Sequence, residues 1–353
     1  MSRFDLDARE PFEANADRVN PAFPMRATLS SEAKVAEPPP SDWPLIPWSR
    51  GPLSTAVIDA LQRAPGSFRM SGRVEVHDAL RDDDFQLALY LSYEVRHRDF
   101  SGADWEWDAD LLAFRGQLEQ VFVARLREEV TRRYPRQTPE VDEAIDHVIF
   151  TSTARSLLQH FVAAGDVDQL RELFVHRSAS YSHDGRSEHD HRRPRGDGSA
   201  PPEAFAATLI ALGLDPSLGS YVEMMPGVTL AMANLHSMFE VHHRWRGALI
   251  GQLAVQEMTA GGRTEKWGDA LDRFGVVHSS TGHPSGDGNF DARYAALARD
   301  HLVSGLLGAD PELEGDVLFG AEATLMLDQN FCDHLLSAWT HRRSSLVPWE
   351  FNT

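Results

Sequence analysis

Cysteine is almost absent from the 353-residue sequence, which contains only Cys332. A single thiol cannot form an internal disulfide framework, and it excludes the metal sites that several cysteines build together. One unpaired cysteine is typical of proteins from a reducing compartment. Cys332 lies in NFCDHLLSAW, whose pattern predicts the core face of a helix. We therefore expect this thiol to be buried and unreactive.

Long apolar runs are also missing. No stretch approaches the roughly 18 apolar residues of a membrane span, and the first thirty residues lack the basic start and apolar run of a signal peptide. Acidic residues outnumber basic ones by 53 to 34, which gives a formal net charge of −19. Such a charge repels nucleic acid and anionic lipid. The sequence therefore predicts a cytoplasmic protein that binds neither nucleic acid nor membranes.

The common catalytic and nucleotide-binding motifs are absent as well. The sequence contains no GxGxxG after a strand pattern, no GxxxxGK[ST], no GxSxG and no HExxH. These motifs mark dinucleotide sites, nucleotide-phosphate sites, serine nucleophiles and zinc sites respectively. The calcium-loop pattern is missing too. Any chemistry must therefore depend on residues that these short motifs do not describe.

Helical periodicity dominates the sequence from about residue 50, and no convincing strand pattern occurs. Helices are predicted at about 82–98, 109–133, 140–163, 165–179, from 203, at 226–262, 291–306 and 316–341. Asp82, Asp83 and Asp84 offer an N-cap and a negative first turn for the first of these helices. The predicted fold class is all-α, a bundle of long helices.

The two ends and two internal segments lack this periodicity. Residues 1–45 include the Pro-rich stretch AEPPPSDWPLIP and are predicted to form a flexible N-terminal arm. Residues 46–345 are predicted to form a single helical domain, with loops at 182–202 and 278–290. Residues 346–353 are predicted to be a C-terminal tail.

The longest periodic stretch spans residues 226–262. Pro226 suits the first turn of a helix, and two consecutive glycines at its end are expected to stop it. Gly247, Gly251 and Ala254 are small, so a second helix could approach this one closely. A kink near Gly247 or Gly251 is also expected to be tolerated.

The stretch LALYLSYEVRHRDF carries Glu94 and His97 among apolar positions of one helical face. Burying an unpaired carboxylate is costly. A carboxylate and an imidazole three residues apart can contact one metal ion, as the Glu-x-x-His element does in di-iron bundles. The alternative is an ion pair between Glu94 and Arg96, Arg98 or an arginine on another helix, with His97 half exposed.

The long helix carries a second set of acidic and histidine residues. Glu257 follows an apolar run, which favours an inward orientation. His242 and Glu257 are 15 residues apart, a separation of more than about 20 Å along a straight helix, so they cannot bind the same ion there. The alternative for HSMFEVHHRWR is a charged, solvated face with its apolar residues behind it.

Several segments between about residues 78 and 345 resemble, in order, those of one known family. They are LALYLSYEVRHRDF, LFVHRSASY, LIALGLDPSLGSYVEMMPGVTLAMANL, RWRGALIGQLAVQEMT and DVLFGAEATLMLDQNFCDHLLSAW. The family is that of the iron-containing redox enzymes, the heme-oxygenase-like di-iron oxidases and oxygenases. This resemblance implies a heme-oxygenase-like helical bundle without heme, two irons held by carboxylates and histidines, and activation of dioxygen. Its members oxidise small molecules by N-oxygenation, desaturation or C–C cleavage.

The resemblance also implies the metal ligands by position. Four residues match the family's ligands: Glu94, His97, Glu257 and Asp291. Glu240 and His242 are possible additional ligands. Two irons typically require about six protein ligands, by analogy with the carboxylate-bridged bundles, whereas a single iron needs two histidines and one carboxylate.

The chain departs from the family pattern in two places. Relatives carry a helix with an acidic ligand motif after the VHRSA-like segment, and this chain does not. Relatives also place histidines four residues before and three residues after the late aspartate, where this chain has Asp287 and Tyr294. The number of bound irons is therefore open. The family implies two, and these departures favour one or none.

Two functions remain open from the sequence. The first is a non-heme iron-dependent oxidoreductase that uses dioxygen to oxidise a small-molecule substrate. The second is a degenerate, metal-free relative that acts as a partner or scaffold for an active paralogue, or as a small-molecule-binding bundle. A homodimer is possible in either case. Heme is not implied, because no single histidine stands out as an axial ligand.

Overall fold

A computed structural model of the chain describes residues 49–62, 68, 74–99, 109–134, 162–184, 202–216, 221–275 and 303–347. Within these ranges the chain forms α-helices and short 3-10 helices and contains no strand. The predicted all-α class is therefore confirmed. The predicted arm at 1–45 and loop at 278–290 lie outside the described residues, as does most of the predicted loop at 182–202.

The described α-helices are numbered here in chain order. They are α1 (Pro52–Gln62), α2 (Asp83–Asp99), α3 (Ala109–Arg133), α4 (Val167–Asp184), α5 (Pro202–Ala211), α6 (Gly227–Val241), α7 (Arg246–Arg273), α8 (Ser304–Ala309) and α9 (Glu314–Thr340). Short 3-10 helices occur at Val222–Met224, His243–Trp245 and Pro311–Leu313. None of these described helices is long and apolar enough to cross a membrane.

Helix α2 lies at the centre of the described bundle and contacts α1, α3 and α6. Every side chain from Phe85 to Tyr93 is buried. The sequence predicted burial of one face only, but a helix that is buried all round belongs in the core of a large domain. Cys332 on α9 is also buried, at 2% exposure, as expected.

The three consecutive aspartates at the start of α2 cap three different helices. Asp82 is the predicted N-cap of α2, and its Oδ1 accepts a hydrogen bond from the N–H of Phe85 at 2.8 Å. Asp83 accepts from the N–H of Gly227 at 2.5 Å, which caps α6. Asp84 accepts from the N–H of Leu53 at 2.9 Å, which caps α1. Each carboxylate therefore satisfies amides that a helix leaves unpaired at its start.

The prediction of one helix over 226–262 is wrong. The segment contains α6, then His242 in an extended conformation, then a 3-10 turn, and then α7. Trp245 turns into the core at this break, where its ring lies 5.8 Å from that of Phe239 and 5.8 Å from that of Phe319. Packing of this aromatic cluster favours a break at His242. Gly247 and Gly251, where a kink was expected to be tolerated, both lie within α7.

The predicted stop at Gly261 and Gly262 is also wrong, because α7 continues to Arg273. A glycine inside a helix costs about 1 kcal/mol relative to alanine, which tertiary packing can outweigh. The other glycines of α7 do allow close packing, as predicted. A Cβ on Gly251 would lie 2.0 Å from the carbonyl oxygen of Val317 on α9. The backbones of α7 and α9 are therefore in direct contact.

Candidate functional site

The structure places three of the four predicted metal ligands on two helices and leaves their side chains undescribed. Glu94 and His97 lie one turn apart in the second half of α2, and Glu257 lies within α7. The side chains of these three lie outside the described residues, and Asp291 lies entirely outside them. Their assignment as ligands therefore stays a prediction.

A buried carboxylate, that of Glu119 on α3, lies beside this part of α2. Tyr93, which directly precedes Glu94, donates a hydrogen bond from its phenol to Oε1 of Glu119 at 2.7 Å. Glu119 is 1% exposed and Tyr93 is fully buried. A carboxylate at this depth needs hydrogen bonds and a counter-charge.

His242 provides the second contact to this carboxylate. Its Nε2 lies 2.7 Å from Oε2 of Glu119. The extended backbone of His242, between α6 and the 3-10 turn, directs the ring toward α3. Its side chain is 19% exposed, so it lies between the buried carboxylate and solvent. Glu119 thus connects α2, α3 and the break between α6 and α7.

Arg115, one turn before Glu119 on α3, completes the cluster. Its Nε lies 3.5 Å from Oε1 of Glu119, and its guanidinium lies 5.4 Å from the centre of the Tyr93 ring. The Nη1 atom of Arg115 is buried and has no hydrogen-bond partner within the described part of the chain. We call Tyr93, Arg115, Glu119 and His242 the Glu119 cluster.

The contacts within the Glu119 cluster determine the charge states of Glu119 and Tyr93. Burial alone would raise the pKa of Glu119, but the hydrogen bond and charge of His242, with Arg115 and Tyr93, lower that pKa below its usual value. The carboxylate is therefore ionised at neutral pH. Burial, and then the charge of Glu119, raise the pKa of Tyr93 well above its usual value. Tyr93 is therefore a neutral phenol that donates its proton to the carboxylate.

The two possible additional ligands have different surroundings. His242 belongs to the Glu119 cluster, whereas Glu240, two residues earlier at the end of α6, is exposed to solvent. Sequence reasoning identified neither Glu119 nor Tyr93 as a functional candidate. The spacing of four residues between Arg115 and Glu119 is an available signal for an ion pair on one helix. No feature of the sequence linked either residue to His242.

The donor types in the Glu119 cluster suit non-heme iron, but the described residues alone do not complete a centre. Carboxylate and imidazole both bind iron, yet the cluster contains one of each. Within the described residues, no group of three or more His, Cys, Asp or Glu side chains could hold a metal ion. The guanidinium of Arg115 also repels a cation next to Glu119. An iron site here requires donors from α2 or α7 whose side chains are not described.

Comparison with known families finds a match over part of the chain. The family model described as iron-containing redox enzyme matches residues 196–329. Among the described elements, this region contains α5, α6, α7, α8 and the first half of α9, and it includes His242. The match confirms the family resemblance stated from the sequence and, with the all-α architecture, the heme-oxygenase-like class of fold. No curated protein matches the chain.

Proposed function

We propose that the protein is a non-heme iron-dependent oxidoreductase that activates dioxygen to oxidise a small molecule. The observation that carries this proposal is the family match over residues 196–329, which supports iron and redox chemistry. The buried Glu119 cluster adds an ionised carboxylate and an imidazole beside the α2 segment that carries Glu94. Buried groups with shifted pKa values, such as Glu119 and Tyr93, are common at functional sites.

The proposed ligands come from separate parts of the chain. Glu94 and His97 on α2 would bind iron, and Glu257 and Asp291 would complete or bridge the site, with His242 and Glu240 as possible additional ligands. Iron bound there would supply the electron transfer to dioxygen that protein side chains cannot perform. We propose two irons from the family pattern, or one if the missing histidines are not replaced. No heme is involved.

The protein's own contribution would be to orient these ligands and to exclude water. The hydrogen bond between Tyr93 and Glu119 fixes the rotation of α2 about its axis at the residue that precedes Glu94. Glu119 accepts a hydrogen bond from Nε2–H of His242, which fixes the orientation of that ring. The buried surface of α2 keeps bulk water away from this region.

The proposed reaction classes are N-oxygenation, desaturation and oxidative C–C cleavage of a small-molecule substrate. We propose a cytoplasmic location, in keeping with the single cysteine and the acidic composition. A homodimer or an association with an active paralogue is part of the same proposal.

A second candidate function is a metal-free relative that acts as a partner, a scaffold or a small-molecule-binding bundle. The observation in its favour is that Glu119 already has protein partners on both oxygens and an arginine beside it. This buried carboxylate therefore needs no metal ion to balance its charge. The missing acidic helix and the residues at 287 and 294 favour the same alternative.

Iron content tests the two candidates directly. The protein would be purified under nitrogen, loaded with ferrous iron and freed of excess metal, and the iron per chain would be measured before oxygen is admitted. Close to two irons, with oxygen uptake and a transient visible absorption, would support a di-iron oxidase. About one iron would support a mononuclear site on α2. No retained iron would contradict the oxidoreductase proposal and favour the metal-free relative.

A further inference from the structure

A second buried histidine, His176 on α4, lies in a polar network separate from the Glu119 cluster. The ring is 2% exposed. Its Nδ1 lies 2.8 Å from Oγ1 of Thr229 on α6, and its Nε2 lies 2.9 Å from Oγ of Ser345, which follows α9. Both nitrogens therefore contact neutral hydroxyl groups, and neither contacts a carboxylate.

Ser345 belongs to a segment that folds back from the end of α9 onto α4. We call residues 341–347 the C-terminal strap. Glu172 on α4 accepts hydrogen bonds from the N–H of Ser345 at 3.0 Å and from its hydroxyl at 2.6 Å. His334 on α9 donates from Nε2 to the carbonyl oxygen of Ser345 at 2.7 Å. The N–H of Val347 donates to the carbonyl oxygen of Met224 at 2.8 Å.

The C-terminal strap is attached by polar contacts more than by apolar burial. Ser345 is the only buried residue of the strap, at 1% exposure, whereas residues 341–344 are exposed and residues 346–347 are half-buried. Burial of a serine removes little apolar surface from water. The attachment therefore depends on hydrogen bonds to ionisable groups, and a change of protonation alters such bonds directly.

The hydrogen-bond directions show why protonation of His176 opposes this attachment. The hydroxyl proton of Ser345 is directed to Glu172, so Oγ of Ser345 must accept from Nε2–H of His176. The neutral ring then accepts at Nδ1 from the hydroxyl of Thr229. A proton on Nδ1 removes that acceptor and leaves a buried imidazolium without a carboxylate in contact. Such an uncompensated charge is strongly unfavourable.

We propose that the C-terminal strap is an acid-sensitive latch: protonation of His176 releases residues 341–347 from α4 while the core around α2 stays folded. Release hydrates the His176 ring and exposes the surface of α4 that Ser345 covers. The signal that the latch detects is the proton concentration. This inference is independent of iron binding.

The direction of the effect follows from the pKa of the ring in the two states. Burial, and then the charge of His334, lower the pKa of His176 from 6.5 to about 3 in the closed state, with a small opposing effect of Glu172. The open state binds the proton more tightly, so opening becomes more favourable as the pH falls below about 6.5. Between pH 7.5 and 5 the opening constant should rise about 30-fold from this residue.

The other titratable groups of this network face the ring from α4 and α9. Glu172 has a pKa below its usual value, because hydrogen bonds from Ser344, Ser345 and Trp339 outweigh the opposing effect of burial. The stability that Glu172 gives to the closed strap is fully present above the usual pKa of a glutamate and is lost as the pH falls. Glu172 and His176 therefore both favour opening of the strap in acid. His334 on α9 disfavours a charge on the His176 ring when it is itself protonated.

Hydrogen exchange of the full chain tests the latch. The amides of Ser345 and Val347 are protected by the bonds that opening breaks, whereas the amide of Leu89 in α2 reports the core. After correction for intrinsic exchange rates, the two strap amides should lose protection about 30-fold between pH 7.5 and 5, and Leu89 should not. Equal losses in the strap and in α2 would mean acid unfolding of the whole bundle and would overturn the proposal.

Substitution separates the role of His176 from that of other acid-sensitive groups. His176→Gln keeps a hydrogen-bonding side chain without a titration near neutrality, so the pH dependence of strap exchange above pH 5 should disappear. His341→Gln, which changes an exposed histidine of the same strap, should leave it intact. A retained pH dependence in His176→Gln would overturn the latch.

A direct titration covers the case in which His176→Gln does not fold. Exchange of the histidine ring C–H, followed by mass spectrometry of the wild-type protein, reports the pKa of His176 in the closed state. A value well below 6.5 is expected. A ring that titrates near 6.5 while the strap amides remain protected would overturn the proposal.

Discussion

Nε2 of His242 lies 2.7 Å from Oε2 of Glu119, and this contact joins the break between α6 and α7 to the middle of α3. The same carboxylate accepts a hydrogen bond from the phenol of Tyr93 on α2. One buried negative charge therefore fixes the relative positions of three elements. Replacing that charge tests how much the arrangement depends on it.

Glu119→Gln should destabilise the protein by roughly 3 kcal/mol, the scale expected when one partner of a buried ion pair is removed. The amide cannot balance the charge of Arg115, and its NH₂ group would face either His242 or Tyr93, both of which are donors to the native carboxylate. Urea unfolding at pH 7, followed by circular dichroism, measures the change in the free energy of unfolding.

Glu128→Gln is the matched control on the same helix. Glu128 is 69% exposed and pairs with Arg125 at 2.8 Å. Exposed ion pairs contribute little, so this change should remain within about 0.5 kcal/mol of the wild type. Similar effects of the two substitutions would mean that the buried contacts of Glu119 stabilise the fold no more than an exposed ion pair does.

The helices of the core were predictable from sequence because their signals are local. The start of α2 follows from its aspartate cap, and α3 has the predicted bounds of 109–133. The break at His242 was not predictable, because it depends on Trp245 packing against Phe319 on a helix about 70 residues later. The same holds for the Glu119 cluster, whose partners come from three separate parts of the chain. Periodicity describes one helix at a time and does not reveal such contacts.

Gly320→Ala should test the close contact of α7 and α9. A Cβ on Gly320 would lie 1.9 Å from the carbonyl oxygen of Ala248, so the two backbones would have to separate. Overpacking of this kind typically costs 1–3 kcal/mol, and a clash with backbone belongs at about the upper end. Thermal and urea unfolding measure the loss.

Gly308→Ala is the corresponding control, because no atom lies within 4 Å of a Cβ at that position. Gly308 lies in α8, where alanine is the better helix former, so the change should be neutral or stabilising by up to about 0.5–1 kcal/mol. If Gly308→Ala loses as much stability as Gly320→Ala, the loss comes from reduced backbone flexibility and not from the contact between α7 and α9.

Glu129 should make stability depend on pH in the acid range. Its hydrogen bond with Arg132 lowers the pKa to about 2 from 4.5, with a further contribution from Arg133 and against the opposing effect of burial. A lowered folded-state pKa stabilises the protein fully above 4.5, and that stability is lost as the pH falls toward 2. Glu129→Gln should therefore reduce stability at pH 6 and flatten its dependence between pH 4.5 and pH 2. Urea midpoints across this range provide the measurement, and Glu128→Gln should retain the wild-type slope.

Glu94→Ala distinguishes a metal ligand from a structural ion pair. If Glu94 binds iron, the variant should retain less iron after anaerobic loading, while the metal-free protein should be as stable as the wild type or more so, because a costly charge is gone from the helix. Iron per chain and the free energy of unfolding of the metal-free protein are the two measurements. Glu312→Ala, which changes an exposed acidic residue, should alter neither.

The opposite pattern would identify Glu94 as structural. If its role is to pair with Arg96 or Arg98, removing the carboxylate should leave iron content unchanged, and it should cost up to about 3–5 kcal/mol if the pair is buried. The two measurements are therefore independent. Iron per chain shows whether Glu94 is a ligand, and the free energy of unfolding shows whether Glu94 belongs to a structural ion pair. A destabilised Glu94→Ala with wild-type iron would remove Glu94 from the proposed metal site, and the carboxylate ligands would then have to come from α7 and the segment around Asp291.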